Sequence, residues 1–263
     1  MTVTVPRSTI PDLVRGAVVL VLAVVQTVVA TLGGSGAIGE GVGVVANDYQ
    51  TPLLAAGWAF SIWGLVYLGF LAYAVFALLP SQRSRAVHRR TGWWLAVSAV
   101  LNPLWILAFG TRHVLAAEIV IVALLVCLAT VFGRLSQEPA ATPLERALFR
   151  TPLAVYTGWV SLATVLGTAA TGVAEGLPGE GALPLAAAVT VLLVTAAIVC
   201  WVVSTGTSIL GYAAAAVWAL VGVATNDRPL AVSVTALIAA AIIVTVTVRR
   251  VGRSVQPTQL AWG

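Results

Sequence analysis

The chain has 263 residues, 60% of them hydrophobic and only 9% charged, with a mean hydropathy of +1.01 and a net charge of +5. Such a composition excludes a soluble domain of this length and places the chain in a bilayer. All 14 basic residues are arginines spread over short polar segments, which excludes a nucleic-acid surface; Cys127 and Cys200 lie inside apolar runs, which excludes a disulfide framework or a CxxC metal site.

Apolar runs of bilayer-crossing length lie near 13–32, 53–79, 93–110, 114–133, 152–173, 183–203, 209–225 and 230–248. The fold class is therefore all-α, a polytopic membrane helix bundle of about eight transmembrane helices. The first run follows Arg7 and Arg15 and precedes small residues, as in a secretory signal, but it is longer than a signal core and is expected to remain as a helix. With the N-terminus inside, only Arg112 and Arg228 fall outside. The positive-inside rule then places both termini in the cytoplasm, of a bacterial cytoplasmic membrane by the arginine-rich, Ala/Val/Leu-rich composition.

Residues 33–52 carry six glycines between positions 33 and 43, and are expected to form a flexible loop able to act as a lid. The GSGAIG at 34–39 matches GxGxxG, but a membrane-length run precedes it where a dinucleotide site needs a strand. The second span contains residues 57–73, GWAFSIWGLVYLGFLAY, whose Phe60, Trp63, Tyr67 and Phe70 fall on one helical stripe. Such a stripe serves either packing between helices or the wall of a pocket for a flat apolar ligand.

Residues 81–92, SQRSRAVHRRTG, read as a topogenic loop with His88 in it, followed by Trp93 and Trp94 as interface anchors. In the third span Asn102, Trp105 and Phe109 share a face, and in the fifth Tyr156, Trp159 and Ala163 repeat the spacing. Thr142, Pro143 and Glu145 spell a capping box opening a short interfacial helix with Arg146 and Arg150, ahead of a bend at Pro152. Residues 204–208 form a tight hairpin or a less regular connection. Gly211, Ala215 and Ala219 make a small-residue face suited to a dimer or to internal packing.

Polar groups at membrane depth are costly, and Gln26, Asn102, Ser161 and Thr164 are those near mid-span. Asn102 precedes Pro103, so its amide is a candidate partner for local backbone or for a neighbouring helix. Glu118 is the one ionisable group within a span, about 6 Å inside its end by helical rise, and is expected to snorkel outward. His113 is expected to be exposed. No HExxH, GxSxG, P-loop or carboxylate pair is present, so no familiar catalytic constellation is visible and no metal or cofactor is called for.

Residues 57–73 together with LNPLW (101–105), AAEI (116–119) and YTGWVSLAT (156–164), in this order on successive spans, resemble the tryptophan-rich sensory protein family, TspO/MBR, related to the translocator protein. The resemblance covers about 13–173. It implies a five-helix membrane unit (1–173), a three-helix C-terminal extension (174–249) and a cytoplasmic tail (250–263). It further implies a pocket under the first long loop for protoporphyrin-type tetrapyrroles or other flat hydrophobic molecules, with a sensory role. On the matching motifs the ligand-binding residues are Trp58, Trp63, Tyr67, Asn102, Trp105, Glu118 and Trp159. The resemblance leaves a transporter of a hydrophobic compound, or a porphyrin-degrading enzyme, as alternatives. The lipid bilayer is the expected surrounding and a homodimer a further expectation. The sequence departs from the short-form pattern GWxFGPVW by lacking one residue and the proline, which implies a rotation of about 100° of Trp58 or Trp63 unless a local bulge intervenes. Gly167 stands where the family has Asn, and Ala55 and Ala56 where it has prolines.

Overall fold

The computed structural model describes residues 8–263, so Arg7, counted above on the arginine-rich side, lies outside the described residues. Among these, helix is the only regular structure. The order is α1 (Ile10–Gly34), α2 (Val42–Asp48), a 3-10 turn (Gly57–Ser61) opening α3 (Ile62–Leu78), α4 (Ala86–Gly110), α5 (Val114–Ser136), α6 (Pro143–Glu145), a π turn (Arg146–Arg150), α7 (Thr151–Ala174), α8 (Ala182–Thr205), α9 (Ile209–Ala224), α10 (Leu230–Gly252) and α11 (Pro257–Trp262).

Seven helical runs are long and apolar enough to cross a membrane, and α9 is the eighth, shorter member of the bundle. At 16 residues α9 spans about 24 Å, short of a hydrocarbon core of about 30 Å. It need not match that thickness, because most of its side chains are buried against α7, α8 and α10. Gly211, Ala215 and Ala219 are spent on this internal packing: a methyl added at Gly211 would lie 3.1 Å from Ala154 Cβ, and one added at Gly222 only 2.6 Å from Ala59 Cβ. Gly158 of α7 lies so close to the Tyr212 backbone that no side chain fits between them. α7 is thus the joint of the molecule, with α3 and α5 on one side and α9 on the other.

The connection at 204–208 is a tight turn with Ser208 in the left-handed region, φ 57°. Ahead of α7, Thr142 Oγ1 accepts from Glu145 N–H at 3.1 Å. The reciprocal half of the capping box is absent, because the Glu145 carboxylate accepts instead from Ala141 N–H. The expected bend is a π turn: Pro152 cannot donate to residue 148, and widening the preceding turn absorbs the loss without breaking the helical run.

At the arginine-rich end the polar segments are tied down. Asp12 accepts from Arg15 at 3.0 Å and from Arg89 at 2.8 and 2.6 Å, joining α1 to α4. Buried Glu145 accepts from Arg85 at 2.6 Å and from buried Arg150 at 3.1 Å, while Arg150 also donates to the Leu135 carbonyl. His88 is a buried member of α4, stacked on Phe149 at 5.4 Å, rather than part of a solvated loop. Arg146 donates to the Gly263 carbonyl, so the residues after α10 fold back onto the bundle.

A lidded aromatic site

At the opposite end α2 covers the mouth of the helices. The expected flexible loop is an ordered lid, fastened at both ends. Gly39, at φ 77°, presses on Gly110 so closely that an added methyl would lie 2.8 Å from its carbonyl oxygen, and Glu40 N–H donates to that oxygen at 2.9 Å. Arg112, in the turn between α4 and α5, donates to Glu40 at 2.8 and 2.7 Å and to Asp48 at 2.6 Å. The guanidinium holds the Glu40 carboxyl below its ordinary value, and the two carboxylates raise Arg112. Beyond the lid, Arg228 donates to the Thr51 carbonyl at 2.9 Å, Asn226 to that of Leu54 at 2.9 Å, and Ala56 N–H to the Gly222 carbonyl at 2.8 Å. The lid's exit is thereby bound to α9 and the α9–α10 turn.

Beneath the lid the three aromatic faces of α3, α4 and α7 meet at Trp63. Its ring stacks on Tyr67 at 5.6 Å, lies 5.2 Å from Trp105, and meets Tyr156 and Trp159 edge-on at 6.0 and 6.1 Å. Phe60 meets Trp159 edge-on at 6.1 Å and Trp105 stacks on Phe109 at 5.9 Å. Phe60, Trp63 and Trp105 border two adjoining spaces. One is an enclosed cavity of about 50 Å³ bounded by α2, α3, α4, α5 and α7; the other is a groove of about 430 Å³ bounded by α1, α2, α3 and α4. The groove is in the size range of small-molecule sites, roughly 300–1,000 Å³. The cavity, at about 50 Å³, is far below that range.

Of the residues expected at a ligand site, Trp63 and Trp105 line both spaces, Tyr67 lines the groove, and Glu118 and Trp159 line the cavity. Asn102 sits behind them, fully buried, with its Oδ1 accepting from the Tyr67 hydroxyl at 3.2 Å; its Nδ2 serves no backbone group. Trp58 is not at the site. It is 43% exposed and packs edge-on against Trp218 of α9 at 4.7 Å, and Trp218 Nε1 donates to the Ala59 carbonyl. The 3-10 turn at Gly57–Ser61 causes this, since each residue there advances about 20° further around the axis than in an α-helix. Glu118 does not snorkel outward: it is half-buried, lines the cavity and accepts from Thr168 Oγ1 of α7 at 2.7 Å.

The polar inventory around Trp63 and Trp105 is incomplete. Trp63 Nε1, Trp159 Nε1, Asn102 Nδ2 and the Tyr156 hydroxyl are buried without a hydrogen-bond partner. Gln26 of α1 is fully buried with both amide atoms unpartnered. Arg15 meets Gly92, and Gly33 meets Ile106, so α1 and α4 run parallel and Gln26 lies within a turn of the depth of Asn102.

A family model, that of TSPO-like protein, matches residues 16–249. The chain belongs to the TSPO-like protein family. The match runs through α8, α9 and α10 as well as the five helices that carry the aromatic motifs. No curated protein and no solved structure matches the chain. This TSPO-like chain is a multi-pass membrane protein whose aromatic motifs, read separately along the sequence, close on one point in space. The lid latch Glu40–Arg112–Asp48 and the Thr168 contact to Glu118 were not legible as motifs, because their members come from segments up to 72 residues apart.

Proposed function

We propose that this TSPO-like protein is a non-catalytic receptor for a flat, hydrophobic ligand of tetrapyrrole type, held in the groove against Phe60, Trp63, Tyr67 and Trp105 and covered by α2. The observation that carries this reading is the groove itself, about 430 Å³ beneath α2 and walled by Phe60, Trp63, Tyr67 and Trp105. A space of ligand size walled by aromatic rings offers stacking and apolar contact to a flat molecule, where packing between helices alone would leave no such space.

In this reading residues 1–173 are the ligand-binding unit and 174–249 a buttress. Because the lid's exit is fastened to α9 and the α9–α10 turn, a ligand that lifts α2 pulls on that block, which is a route for a sensory output. The arginine-rich end faces the cytoplasm, with the two termini.

The test is quenching of tryptophan emission by protoporphyrin IX, with the protein in lipid nanodiscs. Saturable quenching is expected, weakened on the order of tenfold in Trp63→Ala and in Asn102→Ala, with thermal unfolding still cooperative in both. Linear quenching identical in all three proteins would refute the groove as a ligand site.

A further inference from the structure

The enclosed cavity differs in chemistry from the groove. Glu118 is its one acidic lining residue, and no arginine or histidine among the described residues lines it. Arg112, the arginine nearest in sequence, is committed to Glu40 and Asp48. The Glu118 side chain receives a single side-chain hydrogen bond, from Thr168, and has no ion-pair partner among the described residues. An acidic side chain in a membrane span without a partner is costly and is a candidate functional group.

The rest of the lining supplies the complementary surface. Phe60, Trp63, Trp105, Phe109 and Trp159 line the same small space. Ring faces attract cations through their quadrupoles, and do so more strongly where water is excluded. A carboxylate set among several aromatic rings is the recognition chemistry of an ammonium group. At about 50 Å³ the space suits a small head such as a primary ammonium, and it is too small for a fused ring system. The adjoining groove, which shares Phe60, Trp63 and Trp105 with the cavity, has room for the flat body to which such a head is attached.

We infer that the enclosed cavity is a cation subsite, in which Glu118 and the surrounding rings bind the ammonium head of an amphiphilic amine whose flat body lies in the groove. This rests on the groove being a ligand site, and the experiment separates the two. The probes are 1-pyrenemethylammonium and the neutral, nearly isosteric 1-pyrenemethanol, each titrated at pH 7 into the full-length protein in nanodiscs of zwitterionic lipid. Energy transfer from tryptophan to pyrene is the readout, with empty nanodiscs subtracted. The ammonium is expected to bind on the order of tenfold more tightly than the alcohol, the factor that corresponds to 1.4 kcal/mol. In Glu118→Gln that preference disappears, with cooperative thermal unfolding reporting that the variant is folded; Glu118→Asp keeps the preference. Equal affinities in the native protein, or a preference that survives Glu118→Gln, would overturn the cation subsite and leave the groove standing. Should Glu118→Gln fail to fold, Thr168→Val replaces it: a diminished ammonium preference supports the subsite and an unaltered one counts against it. If neither probe binds the native protein, the groove reading fails and the subsite falls with it.

Discussion

Arg112 and Glu40 stand 72 residues apart in the chain, yet the guanidinium grips the carboxylate with two hydrogen bonds, of 2.8 and 2.7 Å, and reaches Asp48 with the same Nη2 at 2.6 Å. Arg112 does this from the left-handed backbone region, φ 64°, which a non-glycine residue occupies at a cost of roughly 1–2 kcal/mol. The fork geometry of arginine suits this double grip, and among the described residues no other side chain holds both the entry and the exit of α2.

Arg112→Ala is therefore expected to release the lid without unfolding the bundle. Amide hydrogen exchange over residues 40–50 should speed by on the order of tenfold or more, with the spans unchanged, and bound protoporphyrin should dissociate faster. Exchange over 40–50 that is the same in both proteins would show that the backbone contacts at Gly39 and Gly110 hold the lid alone.

The same latch has a pH dependence of defined sign. Arg112 depresses the Glu40 carboxyl below its ordinary value of 4.5, so the grip is complete above that pH and is lost only as pH falls through the depressed value. Ligand dissociation should be flat from pH 7 down to about 4.5 and accelerate below it, and Glu40→Gln should remove the acceleration. Because all three charged groups are partly exposed, salt should weaken the latch as well.

These contacts mark the limit of what the sequence discloses. The stripe Phe60–Trp63–Tyr67, the face Asn102–Trp105–Phe109 and the pair Tyr156–Trp159 are legible because helical period alone puts their members together. Trp58 is placed at the site by the resemblance and not by helical period, and a 3-10 turn carries it round to Trp218 instead. The lid helix is invisible for a different reason. Seven residues that include a glycine do not form a helix unaided, and α2 exists because Arg112 and Gly110 fasten its ends. His88 reads as solvated among four arginines, but Asp12, Glu138 and Glu145 arrive from other segments to pair with three of them, and Phe149 covers the ring.

Gln26 gives a prediction on stability alone. Both amide atoms are buried without partners, and Gln26 lines neither the groove nor the cavity. Gln26→Leu keeps most of the volume and removes the unmet polar groups, so thermal stability should rise by about 1 kcal/mol equivalent with protoporphyrin affinity unchanged. A loss of affinity in this variant would extend the ligand site down to α1 at mid-bundle.

The ion pair at the arginine-rich end should behave in the opposite way. Glu145 and Arg150 are each about 1% exposed, and Arg150 also donates to the Leu135 carbonyl. Removing only the carboxylate leaves a guanidinium buried beside the start of α7, so Glu145→Ala should destabilise the protein by about 3–5 kcal/mol, and the loss should appear as a lower unfolding temperature in nanodiscs. Arg150→Met in the same chain removes the stranded charge and should recover a large part of the loss, because the penalty of Glu145→Ala is chiefly that of an unpaired buried cation. If the double variant is as unstable as the sum of the two single ones, the two side chains are not coupled and each loss comes from other contacts. The Glu145 bonds to Arg85 and to Ala141 N–H would then be the contacts that hold the α5–α7 connection in place.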